Sequence, residues 1–137
     1  MNDIKKKYID TFFSQLTEKD KKECYFEHYM WHAFSYKKIE CIEGRKAVDE
    51  LHKRENNEVY LIFEDNDKVI EKKKVTYAEL IDMRAKGKIA WDCYVVDKNL
   101  KWCFVFTHET DINVEGRTDW ENPYYIGPFF AEIKKDC

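Results

Sequence analysis

Two stretches of this chain carry side chains that could do chemistry. The first is Lys101-Trp-Cys-Phe-Val-Phe-Thr-His-Glu109. On an extended strand Trp102, Phe104, Phe106 and His108 share one face, and Cys103, Val105 and Thr107 share the other. Three large aromatics leading to an imidazole make an apolar wall with a titratable rim, where a proton could be moved or a ligand held. Glu109 follows directly and could orient the ring. The plainer alternative is that His108 bonds a backbone group where the sheet ends.

The second stretch is Cys24, His28 and His32, spaced four residues apart. On a helix over residues 20–34 these three form one stripe, roughly opposite the apolar arc of Tyr25, Phe26, Tyr29, Met30, Ala33 and Phe34. Histidines four apart can share a metal, with imidazole nitrogens at ~2 Å from zinc. No acidic residue lies between His28 and His32, so the HExxH arrangement is missing and the spacing alone does not specify zinc. The candidate metal set is His28, His32 and His108; zinc is the one cofactor it would take, and otherwise none is expected. For His32 and His108 to form one site, the helical stripe must face the end of the 101–108 strand, with Glu109 orienting a ring.

A polar loop over residues 110–125 carries Trp120, Tyr124 and Tyr125 with Arg117 nearby. A long loop bearing aromatics is a ligand lid or a partner surface, unless Trp120 tucks under it and pins it. Other chemistries find less support. The four glycines stand singly, so there is no phosphate-cradling loop. A Cys–His nucleophile pair depends on contact in space and cannot be read from spacing.

The elements that position these residues run helices first and strands second. Ile4, Tyr8, Phe12 and Leu16 recur at four-residue steps and predict a helix over 3–17. The second helix opens at Asp20-Lys-Lys-Glu23, a capping-box spacing, and a third spans 43–54 with Ala47, Val48 and Leu51 on one face. Thr76-Tyr-Ala-Glu79 opens a fourth, which Gly87 closes. Strands are expected over 58–63, 68–75, 89–96, 101–108 and 126–133. Residues 97–100 make a hairpin turn, and Pro128 puts the last strand at or near an edge. The fold class is α+β: N-terminal helices on a largely antiparallel sheet of four to five strands, one domain over residues 1–137.

Composition narrows the function classes. The 24 bases and 27 acids give a net charge of −3, so nucleic acid is not the expected partner. Five cysteines, an odd number with no CxxC pair, argue for a reduced, cytoplasmic protein. The first residues lack the apolar run of a signal peptide, and no uncharged stretch approaches the roughly 20 residues of a membrane span.

Together Trp31-His-Ala-Phe-Ser35, Trp91-Asp-Cys-Tyr-Val-Val-Asp97, the 101–109 stretch and Gly127-Pro-Phe-Phe130 resemble a family of small uncharacterised bacterial proteins, a domain of unknown function. The resemblance implies a single bacterial, cytoplasmic domain and no activity. It singles out Trp31, His32, Trp102, His108 and Glu109.

The leading expectation is a non-enzymatic module that binds another protein, by analogy with toxin-neutralising immunity proteins on size, acidity and aromatic surface. Its binding candidates are His32, His108, Glu109, Trp31 and Trp120. The alternative is a metal-binding protein or hydrolase-type enzyme using His32, His108 and Glu109.

Overall fold

The computed structural model describes residues 1–108, 110 and 127–133. Helix α1 (Asp3–Phe12) starts where Asn2 accepts hydrogen bonds from the Ile4 and Lys5 amides. It ends at Phe13, short of residue 17, although Phe13 and Leu16 are still buried. The second predicted helix is not continuous. Thr17 and Asp20 make a reciprocal capping box for α2 (Glu18–Glu23), and Tyr25 then adopts a left-handed φ of 56° that stops the helix. Turns follow as far as α3 (His32–Ser35).

Strand β1 (Ile42–Glu43) precedes α4 (Arg45–His52), and Gly44 between them takes a φ of 74° that favours glycine. The β2–β3 hairpin (Val59–Phe63, Val69–Lys72) leads to α5 (Tyr77–Ala85). Thr76 caps the start of α5, and at its end the Gly87 amide reaches Arg84 O and the Lys88 amide reaches Met83 O. That is a Schellman motif with glycine at its left-handed position. Strands β4 (Cys93–Asp97), β5 (Trp102–Phe106) and β6 (Phe129–Glu132) complete the described elements.

The described strands form one antiparallel sheet in the order β1-β6-β5-β4-β2-β3. It has six strands rather than four or five, because β1 pairs Ile42 with Phe130 and Glu43 with Phe129. The C-terminal strand therefore lies one place in from the edge.

Helices cover both faces of this sheet. On one, Ile62, Tyr94, Val96, Cys103, Val105 and Phe129 pack beneath α1 and the 24–39 segment, against Tyr8, Phe13, Trp31 and Phe34. On the other, Leu61, Val95, Trp102, Phe104, Phe106 and Phe130 pack beneath α4 and α5, against Leu51 and Leu80. The expected cover of N-terminal helices thus accounts for one face only. Because β4 and β5 are buried on both sides, their sequences are apolar, Asp97 at the end of β4 excepted, instead of alternating.

Candidate functional site

Strand register brings two carboxylates together. Phe63 pairs with Cys93, which sets Glu64 and Asp92 side by side just beyond their strand ends, where the Glu64 amide donates to Asp92 O at 3.3 Å. Cys93 also pairs with Phe106, placing the turn after β5 beside Asp92. In that turn the Thr107 amide donates to Thr110 Oγ1 and the Thr110 amide to Thr107 O, each at 2.9 Å. Strand geometry has ended by then. His108 accordingly does not continue the Trp102–Phe106 face: its ring packs on Tyr29 and Trp31, on the side of the N-terminal helices.

Asp92 is the hub. Its Oδ1 accepts from Trp31 Nε1 at 2.9 Å and from the His108 amide at 3.0 Å, and its carboxylate meets His108 Nδ1 at 3.0 and 3.2 Å. With Nδ1 carrying its proton, that last contact fixes the tautomer and ring plane. Glu64 Oε1 accepts from the Met30 amide at 2.7 Å and from the Tyr94 hydroxyl. Two carboxylates at neighbouring strand ends therefore hold the turn that carries Tyr29 and Trp31 and leads into α3 at His32.

Buried cations brace both sides. Lys5 Nζ donates to Phe63 O and Asn66 O, each at 2.7 Å, and to Glu64 O, closing the end of β2. Arg84 donates to Thr107 O and Thr110 O and lies between the Trp91 and Phe106 rings, 4.4 and 5.3 Å from their centroids. Burial lowers the Arg84 pKa to about 10, against the pull of Asp92. Burial pushes Glu64 up to about 7; hydrogen bonds from Tyr94 and Met30 and the Lys5 charge oppose the rise, and Asp92 adds to it.

Outward from these anchors runs a ribbon of rings. Tyr29 stacks on Trp31 at 5.3 Å, and His32 lies 4.4 Å from Trp31 and 5.6 Å from Tyr29. His108 joins the same pair at 5.1 and 5.9 Å. Tyr36 packs on His32, Tyr25 on Tyr36, and His28 on Tyr25. Tyr25 and Tyr36 are 56% and 48% exposed.

The fold brings His32 and His108 together through Trp31 and Tyr29. It does not form the Cys24–His28–His32 stripe, because the chain leaves the helix at Tyr25: Cys24 is buried while His28 is exposed. Among the described residues no group of three or more His, Cys, Asp or Glu side chains is placed to hold a metal ion. Glu109, Trp120, Arg117, Tyr124 and Tyr125 lie outside the described residues. Asp92 and Glu64 were not anticipated, although Trp91-Asp92 stood in a distinctive stretch. Only strand pairing reveals that they meet.

Fold and site define an α+β protein whose antiparallel sheet is covered on both faces and anchors an aromatic and imidazole surface by two carboxylates. The chain belongs to the family described as a domain of unknown function, DUF4275, whose model matches residues 2–128. No curated protein and no solved structure matches it. Among the described residues no helix is long and apolar enough to cross a membrane.

Proposed function

We propose that the chain is a non-catalytic module that docks another protein, acting as one domain in the bacterial cytoplasm in the manner of toxin-neutralising immunity proteins. The observation that carries this reading is the unbroken run of ring contacts from His28 through Tyr25, Tyr36, His32 and Tyr29 to His108. Tyrosine and tryptophan supply large contact area with few rotatable bonds, which is why they dominate interface hot spots. Here the exposed rings stand on a rigid, carboxylate-anchored base, so little freedom remains to be lost on docking. The free state of the four described cysteines is compatible with a reducing compartment.

The test compares the full chain with a Tyr25→Ser, Tyr36→Ser double variant, both immobilised and exposed to lysate. A protein enriched on the wild type is identified, purified and titrated against both. Loss of at least tenfold in affinity in the variant is expected. Equal affinities, or no protein enriched over the variant, overturn the reading.

A second reading, a metal-binding protein or hydrolase-type enzyme using His32, His108 and Glu109 with His28, draws support from one contact, the Asp92–His108 hydrogen bond. One equivalent of zinc in protein purified without a histidine tag would favour it.

A further inference from the structure

We propose that β3 is a second docking edge, which pairs with an extended segment of another protein carrying acidic residues beside Lys72, Lys73 and Lys74. The inference adds a backbone contact and a charge for the partner to the docking reading, on which its use to the cell rests.

The ladder can be extended here. β3 ends the sheet order, with no strand beyond it, and all four of its residues pair with β2 without a bulge. The strand at the other edge, β1, is two residues long. Ladder parity decides which groups face outward. The Lys98 amide donates to Glu58 O and the Glu64 amide to Asp92 O, so Tyr60 and Ile62 turn their N–H and C=O toward β4. Val59 and Leu61 turn theirs toward β3, where they meet Lys72 and Ile70. Val69 and Glu71 therefore point their amides and carbonyls away from the sheet. Among the described residues these groups have no hydrogen-bond partner.

The side chains select the occupant. Val69 packs on the α1 side of the sheet and Ile70 on the α4 and α5 side, and each is only half-buried. An added strand extends both layers. Around them stand Lys68, Lys72, Lys73 and Lys74 against one acid, Glu71, in a chain of net charge −3. Among the described residues none of these lysines forms a salt bridge; Glu58, whose charge Lys73 reaches, is held by Lys98 at 2.8 Å. The turn before β3 is acidic instead, with Asp65 and Asp67, and Asp67 faces the amino terminus at 3.6 Å. Positive charge therefore gathers at the far end of β3, beside Lys72.

A second copy of the chain does not fit this edge. Laid antiparallel with Val69 opposite Glu71, it would set Lys68 opposite Lys72, and like charges directly opposed destabilise a strand pair. An acidic strand meets the same lysines as attraction. One set of side chains thus refuses self-pairing and selects a partner.

The experiment selects random decapeptides, displayed on phage, on the immobilised full chain, and the most enriched peptide is synthesised. It should carry a run of Asp or Glu beside alternating β-branched residues, with no proline between them. Bound to the 15N-labelled chain, it should slow hydrogen exchange of the Val69 and Glu71 amides at least tenfold and leave Ile70 and Lys72, already bonded to β2, nearly unchanged. Affinity should fall at least tenfold in a Lys72→Glu, Lys73→Glu double variant. It should fall as far in Glu71→Pro, which takes one outward N–H from the edge while making it more basic. No enriched peptide, enriched peptides without acidic residues, unchanged exchange at Val69 and Glu71, undiminished affinity in either variant, or a wild-type dimer paired through β3 overturns the proposal. If Glu71→Pro does not fold, the wild-type exchange of Val69 and Glu71 decides in its place. The Tyr25→Ser, Tyr36→Ser chain should bind the peptide as tightly as wild type, so failure of this edge and failure of the ring surface are seen separately; loss of binding there places the peptide on the rings and overturns the proposal.

Discussion

Trp31 donates its indole N–H to Asp92 at 2.9 Å across 61 positions of chain. The contact ties the turn after α2 to the start of β4, and His108 completes it from the end of β5. Removing the carboxylate leaves the buried Trp31 indole without that acceptor and takes from the exposed His108 ring the group that orients it. Asp92→Ala is expected to destabilise the fold by about 2–4 kcal/mol, and Asp92→Asn, which keeps one acceptor oxygen, by less than half as much. Urea midpoints of the two variants check this; equal midpoints would mean that the carboxylate does not organise the turn.

Phe104 is fully buried at the centre of β5, touching Tyr77 edge-on beneath α5. Phe104→Ala should cost about 3–5 kcal/mol, the range for emptying an aromatic core position. A shift worth under about 1 kcal/mol in urea would contradict the placement of this face against α4 and α5.

The cysteines should separate by location. Cys24, Cys93 and Cys103 are buried, and burial raises Cys41 to about 11, so little of its thiolate is present near neutrality. Thiol titration of native protein at pH 7.5 should label Cys41 slowly and leave the other three until denaturant is added. Cys137 lies outside the described residues. Rapid native labelling of Cys93 or Cys103 would contradict the sheet.

The same contacts show what local pattern can carry. Helix α5 was legible because its cap residues, Thr76 and Gly87, act within one turn of the chain. The β4–β5 hairpin was legible because a short turn joins two β-prone runs. The second helix was not. Tyr25, Phe26, Tyr29, Met30, Ala33 and Phe34 repeat at helical intervals, yet Tyr25 takes a left-handed conformation that nothing in its side chain announces. Its cost is offset by long-range anchors, Met30 on Glu64 and Trp31 on Asp92, that no window of sequence contains. His108 was assigned to the wrong face for a related reason. Period two holds only while the strand lasts, and β5 stops at Phe106 because Thr107 and Thr110 bond each other. The imidazole was visible in the sequence, but the carboxylate that orients it depends on register.

Glu64 makes stability depend on pH in a definite direction. Burial raises its folded-state value from 4.5 to about 7, so the folded chain binds the proton more tightly than the unfolded one. The contribution is fully present below about pH 4.5 and is lost as pH rises through 7. The loss should amount to about 3 kcal/mol across that window. Asp20, Glu50 and Glu58 are shifted the opposite way, each first by hydrogen bonds to its carboxylate, and their contributions change only at lower pH. Urea unfolding at pH 5, 6, 7 and 8 should show wild type losing stability relative to Glu64→Gln, with the difference levelling off near pH 8. Parallel profiles for the two proteins would show that the Glu64 carboxyl is solvated in the folded state and carries no proton-linked energy.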